Sequence, residues 1–216
     1  MAFDNERRIV ADAGRRMFER KLTVGTWGNV SVRARDRCII TPSGKSYLET
    51  GPEDMIVVDL EGNVIEGRWR PSTELAMHCE IYRRREDVNA VVHIHPTYSS
   101  ILSVLGEGIP PIMEDMVMLL GEEVRVSEYT LPGTEEIARN AAEALGKNNA
   151  VILANHGSVC VGEDMDRALT ACEVLEKSAQ IYFYSRLLGD PKVLPRDDVM
   201  ELMRKARGYL GQWKQE

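Results

Sequence analysis

The chain has 216 residues, 44% of them hydrophobic and 28% charged, ordinary values for one globular domain or one domain with a small appendage. A net charge of −7 without any lysine- or arginine-rich stretch argues against binding to nucleic acid or to an anionic membrane. A polar N-terminus and no apolar run of about 18 residues predict neither a signal peptide nor a membrane helix. The four cysteines form no C-x-x-C pair, which indicates a reduced, cytoplasmic protein.

The first part of the chain predicts one helix followed by short strands. Apolar residues at three- and four-residue spacing predict an amphipathic helix over residues 4–21. A glycine-containing loop leads to a strand at 30–32, and a second strand follows at 38–40. Residues 55–65 predict a β-hairpin with Glu-Gly-Asn at its turn.

The middle of the chain predicts a helix, a buried strand and a second helix. The first of these helices runs to about Arg85, with Ser72 or Thr73 as its N-cap. The apolar run at 90–95 predicts a buried strand that a proline ends, and residues 97–105 predict the next helix.

The last part predicts a helix, two strands and two further helices, at residues 134–145, 150–154, 159–161, 164–188 and 196–207. Thr134 is the expected N-cap of the first of them. Helices and strands mix throughout, with no internal repeat and no linker. The sequence therefore predicts one α/β domain over residues 1–216, with helices on both faces of a sheet.

Three of the four histidines stand at the ends of apolar strands. His93 and His95 lie two apart on one strand, so both side chains point to the same face. His156 follows the next strongly apolar strand. Such histidines are often only hydrogen-bonded in a core, but their placement in a chain nearly free of other histidines favours a metal. Three neutral nitrogens and an open position are typical of a catalytic zinc site.

Glu74 lies in the first turn of its predicted helix and has two interpretations. It is either a carboxylate favoured by the helix N-terminus or a general base beside the metal. His78 follows four residues later, on the same helix face. It is a fourth ligand, a support for the ligands or a structural residue, and we favour the structural role.

Three polar loops offer groups that bind phosphate, namely Gly28-Asn29, Thr41–Gly44 and Ser72-Thr73. They supply hydroxyls, an amide side chain, backbone N–H groups and one helix N-terminus. Each alone is an ordinary turn or cap, and none matches a P-loop or a dinucleotide-binding fingerprint.

Taken together, five segments resemble the class II aldolase/adducin-head family, nearest to its L-fuculose-1-phosphate aldolases and related 5-deoxy-ketose-1-phosphate aldolases. The segments are Gly25–Ser31, Ile40–Gly44, Pro71–Glu74, Ala90–His95 and Asn155–Gly157. Their order and spacing are specific, and the resemblance spans about residues 7–210. It implies a single three-layer α-β-α domain, in which helices cover both faces of a central, mostly antiparallel sheet.

The resemblance also implies the site residues. One Zn²⁺ per subunit, or another divalent ion such as Mn²⁺ or Co²⁺, would be held by His93, His95 and His156. Glu74 would approach the metal and act as acid and base. The phosphate pocket would consist of Asn29, Ser43, Gly44, Ser72 and Thr73.

A further implication is a homotetramer with active sites between subunits. Tyr209 would be contributed across the subunit boundary and act at the aldehyde end of the substrate. One departure from the family concerns a second catalytic tyrosine, expected after the segment Ile109–Ile112. Glu114 and Asp115 stand there instead, so one of them is expected to handle a proton.

The implied reaction is reversible cleavage of a ketose 1-phosphate to dihydroxyacetone phosphate and an aldehyde. Candidate substrates are the 1-phosphates of L-fuculose, ribulose, 5-deoxyribulose and 5-methylthioribulose. Alternatives on the same fold are a sugar-phosphate 4-epimerase, which carries Asp in place of Glu74, and a methylthioribulose-1-phosphate dehydratase, which generally lacks that carboxylate. A non-catalytic adducin-like module would have lost the three histidines. The competing chemistry is a lysine Schiff base, for which only Lys45 lies within a motif.

Overall fold

The computed structural model describes the backbone of residues 2–209 and the side chains of residues 2–206. Within that part of the chain one sheet contains eight strands, in the order β4-β3-β2-β1-β5-β8-β7-β6. The strands are β1 (Asn29–Ala34), β2 (Arg37–Ile40), β3 (Ile56–Asp59), β4 (Val64–Glu66), β5 (Ala90–Ile94), β6 (Arg125–Ser127), β7 (Ala150–Leu153) and β8 (Gly157–Gly162). Neighbouring strands are antiparallel except β6 and β7, which are parallel.

Helices cover both faces of this sheet. They are α1 (Asp4–Glu19), α2 (Leu75–Arg84), α3 (Thr97–Leu105), α4 (Glu114–Leu120), α5 (Glu135–Leu145), α6 (Met165–Leu188) and α7 (Arg196–Tyr209). Helices α1, α3, α4 and α6 contribute to one apolar core, and α2 and α5 contribute to the other. The expected three-layer arrangement with a mostly antiparallel sheet is therefore confirmed.

Strand β5 lies in the middle of the sheet, and its residues alternate between the two cores. Val92 and Ile94 pack in the core that includes α6, whereas Val91 packs in the core that includes α2. Because side chains of a strand alternate with a period of two, His93 points to the same face as Val91. That face carries the N-terminus of α2, where Glu74 lies.

Three elements among the described residues were not predicted, the helix α4, the strand β6 and a short 3₁₀ helix at Pro52–Asp54. Helix α4 has seven residues and no side-chain N-cap, and β6 has three residues, so neither is long enough to give a clear periodicity. The N-cap prediction for α2 was wrong, because the helix begins at Leu75 and Ser72 lies in the preceding turn. Thr134 does cap α5, and its hydroxyl accepts the Ile137 N–H at 3.3 Å.

Among residues 2–209, no helix combines the length and the apolar character needed to cross a membrane. Tyr209 ends α7, but its side chain lies outside the described residues.

Candidate active site

The three histidines predicted as metal ligands converge at one end of the β5–β8 strand pair. His93 lies in β5, His95 directly follows that strand, and His156 lies in the turn that joins β7 to β8. Strands β5 and β8 are antiparallel, with Ile94 opposite Ser158, so the end of β5 lies beside the start of β8. One candidate ligand atom of each histidine lies within 4.8 Å of the others, and the ring centroids are 4.5–5.1 Å apart.

One hydrogen bond of the His93 ring determines which of its two nitrogens is available to bind a metal. Its Nδ1 lies 2.9 Å from the Ser158 carbonyl oxygen, which can only accept, so Nδ1 carries a proton and Nε2 is the nitrogen that can bind a metal. The buried Nε2 atoms of His93 and His95 have no hydrogen-bond partner among the described residues. Burial, and then the neighbouring His93, lowers the pKa of His95 to about 3. The same two causes lower the pKa of His156, so the neutral form of both His95 and His156 is favoured beside His93.

Glu74 completes this cluster from the opposite side. Its Oε2 lies 3.1 Å from His93 Nε2, and its Oε1 lies 3.3 Å from His156 Nε2. Burial alone would raise the pKa of Glu74, but His93, His156 and a hydrogen bond from Asn29 lower it well below its usual range. Its side chain makes no N-capping hydrogen bond, so the capping interpretation is not supported. The carboxylate instead faces the imidazoles.

The donor set of this cluster fits a divalent cation. The lone pair of His93 Nε2 faces a carboxylate oxygen, and two acceptors at 3.1 Å repel each other unless a cation or a proton lies nearby. Buried polar atoms are normally satisfied, so unpartnered nitrogens that point to one place need a positive partner. Three imidazole nitrogens that leave room for further ligands are typical of catalytic zinc.

The turn that carries His156 is held by groups that the sequence did not reveal. Ser103 of α3 donates its hydroxyl to the Leu153 carbonyl at 2.7 Å and accepts the His156 N–H at 3.0 Å. Asn155 has a φ of 53°, a left-handed conformation that asparagine tolerates. At Gly157 a Cβ atom would lie 2.5 Å from the Ile94 carbonyl oxygen. Only glycine therefore lets β8 start this close to β5.

Beneath Glu74 lies a row of buried side chains from β1 and α2. Asn29 donates its amide to Glu74 Oε2 at 2.8 Å, and its Oδ1 lies 2.5 Å from His78 Nε2. Ser31 Oγ is 2.6 Å from His78 Nδ1 and 2.8 Å from the Tyr82 hydroxyl. Burial, and then His93, lowers the pKa of His78 to about 3. His78 is therefore neutral and bonded away from the cluster of three histidines.

The sequence analysis missed Ser31 and Tyr82, although a signal was present. Asn29 and Ser31 are two apart on a strand, and His78 and Tyr82 are four apart on a helix. Each pair therefore shares a face. Nothing in the sequence indicated that these two faces meet. The same analysis missed the exposed ring of Trp27, whose centroid lies 5.9 Å from that of His95.

The loops predicted to bind phosphate are brought together. Ser43 donates its N–H to the Arg70 carbonyl at 3.0 Å, and Ser72 donates to the Thr41 carbonyl at 3.2 Å. Asn29 joins them through its bond to Glu74, whose own N–H donates to Ser72 Oγ at 3.2 Å. In the set proposed for phosphate, Ser43, Gly44 and Thr73 are exposed, whereas Asn29 and Ser72 are buried.

Lys45 is committed to an ion pair elsewhere. Its ammonium group contacts the buried Asp54 and lies 4.9 Å from the centroid of the Trp69 ring. A Schiff-base lysine needs a neutral, free amine, which an ammonium paired with a buried carboxylate does not supply. This geometry therefore counts against the Schiff-base alternative.

Asp115 lies in the first turn of α4 and forms an ion pair with Lys177 of α6. Among the described residues, none of the hydrogen bonds or ion pairs of Asp115 involves Glu74 or the histidines. Its proton-handling role stays a prediction. So does that of Tyr209, whose side chain lies outside the described residues.

Comparison with known proteins gives consistent matches over most of the chain. Residues 8–183 match the family described as the class II aldolase and adducin N-terminal domain. The 5-deoxy-D-ribulose 1-phosphate aldolase of Bacillus thuringiensis serovar kurstaki is 39% identical, over 97% of this chain and 99% of that protein. The 5-methylthioribulose-1-phosphate/5-deoxyribulose-1-phosphate aldolase of Rhodospirillum rubrum is 35% identical, over 92% and 89%. A solved structure of an L-fuculose 1-phosphate aldolase superposes with a TM-score of 0.93 at 37% identity, covering 96% of this chain and 98% of that one.

Proposed function

Because this chain belongs to the class II aldolase and adducin N-terminal domain family, we propose that it is a metal-dependent aldolase that cleaves a ketose 1-phosphate to dihydroxyacetone phosphate and an aldehyde. The family resemblance of the sequence is confirmed, and its relatives are named as aldolases, which are lyases. The single observation that supports the reaction best is the convergence of three imidazoles and the Glu74 carboxylate on one point.

His93, His95 and His156 would hold one Zn²⁺ per subunit, with Mn²⁺ or Co²⁺ as replacements. When bound, the ion would polarise the C2 carbonyl of the ketose and stabilise the negative charge that develops on substrate oxygens. The hydrogen bond from His93 Nδ1 to the Ser158 carbonyl leaves Nε2 to bind the ion and orients the ring for it.

Glu74 would transfer the proton at C3 of the substrate. In the cleavage direction the C4 hydroxyl loses its proton to a base, for which Tyr209 of a neighbouring subunit is our candidate, and the C3–C4 bond breaks. Protonated Glu74 then gives its proton to C3, which yields dihydroxyacetone phosphate. In the direction of condensation the Glu74 carboxylate removes that proton as a general base.

The phosphate would lie against the loops that carry Ser43, Gly44, Ser72 and Thr73, near Asn29. Exposed hydroxyls and backbone N–H groups at one helix N-terminus suit a phosphate dianion, and the three loops are already joined by hydrogen bonds. This arrangement would orient the C1 end of the ketose toward Glu74.

Among the four candidate ketoses we favour 5-deoxyribulose 1-phosphate and 5-methylthioribulose 1-phosphate. The Bacillus and Rhodospirillum relatives are named for these substrates, and they cover nearly the whole chain. We further propose a cytoplasmic homotetramer of single-domain subunits, with Asp115 or Glu114 replacing the tyrosine that this position carries in the fuculose enzymes.

The test is to incubate the purified, zinc-loaded chain with each of the four ketose 1-phosphates and to measure both products. Dihydroxyacetone phosphate is detected by a coupled dehydrogenase, and the aldehyde by mass spectrometry. Release of both in equal amounts supports the aldolase. A C4 epimer without free aldehyde would indicate the epimerase instead, and loss of water without carbon–carbon cleavage the dehydratase. No reaction with any of the four substrates would contradict the proposal.

A further inference from the structure

A continuous chain of five buried side chains runs from α2 to the active-site carboxylate. It links Tyr82, Ser31, His78, Asn29 and Glu74 by four hydrogen bonds of 2.5–2.8 Å. All five side chains are less than a tenth exposed. Four of them are not needed to bind a metal, and none of the four bears the reacting proton in the proposed function.

The chemistry of each of the five side chains fixes which one donates and which one accepts in every hydrogen bond of this network. The Glu74 carboxylate can only accept, so the Asn29 amide presents its N–H₂ group to Glu74 and its oxygen to His78. His78 Nε2 must therefore carry a proton, and since the ring is neutral its Nδ1 has a lone pair. Ser31 donates its one proton to that lone pair, and it accepts from the Tyr82 hydroxyl.

Tyr82, at the end of the hydrogen-bond network opposite Glu74, supports this direction of donation. Burial raises the pKa of Tyr82 well above its usual value, so the tyrosine keeps its proton. The protonated Tyr82 hydroxyl can donate to Ser31, which leaves the Ser31 proton for His78 Nδ1 and favours the tautomer with its proton on Nε2. Such a buried network of linked hydrogen bonds favours one arrangement.

The two oxygens of Glu74 are consequently not equivalent. Oε2 accepts from Asn29 and lies beside His93. Oε1 lies 3.3 Å from His156 Nε2, but it accepts no hydrogen bond among the described residues. The oxygen without a donor is the better base, because a donated hydrogen bond stabilises the charged form and weakens the base.

We propose that His78 is a positioning residue: it orients the Asn29 amide so that Asn29 holds Glu74 Oε2, and this leaves Oε1 as the atom that carries the substrate proton. Ser31 and Tyr82 act one step further away, by selecting the tautomer of His78. The inference rests on the proposed function of Glu74, and it assigns the role to one oxygen. It also leaves Asn29 only its second amide hydrogen for a phosphate.

A first experiment tests the hydrogen-bond network without any substrate. Histidine side-chain ¹⁵N NMR at pH 7, on the metal-free and the zinc-loaded protein, reads the tautomer of each ring. We expect His78 with its proton on Nε2 in both forms, and a partial shift to the other tautomer in Ser31→Ala. A proton on Nδ1 of His78 in the wild-type protein would overturn the proposal.

A second experiment measures proton transfer. Without aldehyde, the wild-type enzyme should exchange one C–H proton of dihydroxyacetone phosphate for solvent deuterium. We expect His78→Phe to slow this exchange about 10–100-fold, as loss of a supporting hydrogen bond typically does, at unchanged metal content and KM. His78→Gln places an amide N–H₂ near the position of Nε2, and should recover most of the rate.

The pattern of variants separates positioning from a merely structural role. An exchange rate in His78→Phe equal to that of the wild-type enzyme, or equal losses in the Phe and Gln variants, would overturn the proposal.

If His78→Phe does not fold, Ser31→Ala replaces it in this test. We expect a slower exchange in Ser31→Ala, and an unchanged rate would contradict the role. Tyr82→Phe should also slow the exchange, and its matched control is Tyr98→Phe, which removes a hydroxyl whose partner among the described residues is the Tyr184 hydroxyl at the surface. Absence of exchange in the wild-type enzyme would instead refute the function of Glu74, while the NMR result still decides the tautomer of His78.

Discussion

Glu74 Oε2 lies 3.1 Å from His93 Nε2, and the other nitrogen of that ring donates to a backbone carbonyl. The nitrogen that faces the carboxylate is therefore the one that can present a lone pair, and with a neutral ring two acceptors face each other in a buried place. This relationship is unfavourable by itself and becomes favourable when a cation joins them. It is the physical reason for interpreting the cluster as a metal site rather than as a hydrogen-bonded core.

The first prediction concerns Glu74 itself. Glu74→Gln keeps the size of the side chain and an oxygen that can accept from Asn29, but it removes the base. We expect zinc binding to be retained and proton exchange of dihydroxyacetone phosphate to fall by about 10²–10⁴-fold, the usual contribution of a general base. Exchange is measured by ¹H NMR in deuterium oxide. A loss of less than about threefold, well below that range, would reject the role.

The second prediction concerns Gly157, where β8 starts against β5. A Cβ there would lie 2.5 Å from the Ile94 carbonyl oxygen and 3.2 Å from His95 Nδ1. We expect Gly157→Ala to lower the free energy of unfolding by about 1–3 kcal/mol, as overpacking does, and to weaken zinc binding because two ligands shift.

Gly189→Ala is the matched control, since a Cβ at Gly189 would meet no atom within 4 Å. Urea denaturation and zinc titration of both variants make the comparison. Equal zinc affinity in Gly157→Ala and in wild-type protein would show that this close approach does not position the ligands.

The third prediction concerns Asp54, which is 2% exposed and ties the loop of Lys45 to the segment of Arg68. Its carboxylate accepts from Lys45, from Arg68 at 2.7 Å, from Trp69 at 2.8 Å and from the Gly51 N–H at 3.0 Å. We expect Asp54→Asn to destabilise the protein by about 1.5–3 kcal/mol at pH 7, because Lys45, Arg68 and Trp69 lose a charged hydrogen-bond acceptor. The exposed Asp36→Asn, which disturbs one surface pair with Arg37, should cost about 0–1 kcal/mol.

The effect of Asp54 should depend on pH. Burial alone would raise its pKa, but Lys45 and Arg68 lower it well below the usual value. A lowered pKa in the folded state stabilises the protein above the unfolded pKa, near 3.9, and this contribution is lost as the pH falls from there toward the folded pKa. The difference between wild-type protein and Asp54→Asn should thus be constant above about pH 5 and shrink below about pH 4. Denaturant titrations from pH 3 to pH 7 check this, and a difference that grows toward low pH would contradict it.

The sequence predicted the elements with a strong pattern and missed those without one. The apolar runs at β5 and β7 and the long helix α6 were recognised, whereas α4 and β6, with seven and three residues, were not. The three histidines were found because histidine is rare in this chain and each follows an apolar strand. Ser103, Ser31 and Tyr82 were not found, because serine and tyrosine are common inside such elements. Only tertiary packing brings them to His156 and His78.

The most direct test of the account is the metal content of the purified chain after loading with zinc and removal of unbound ion, measured by mass spectrometry. We predict about one equivalent per chain, as for a single catalytic site, and a loss of most of it in His93→Ala, His95→Ala and His156→Ala. His78→Gln, which changes the one histidine outside the cluster, should keep the full equivalent. A wild-type protein that binds no zinc, or a His156→Ala variant that keeps all of it, would contradict the account.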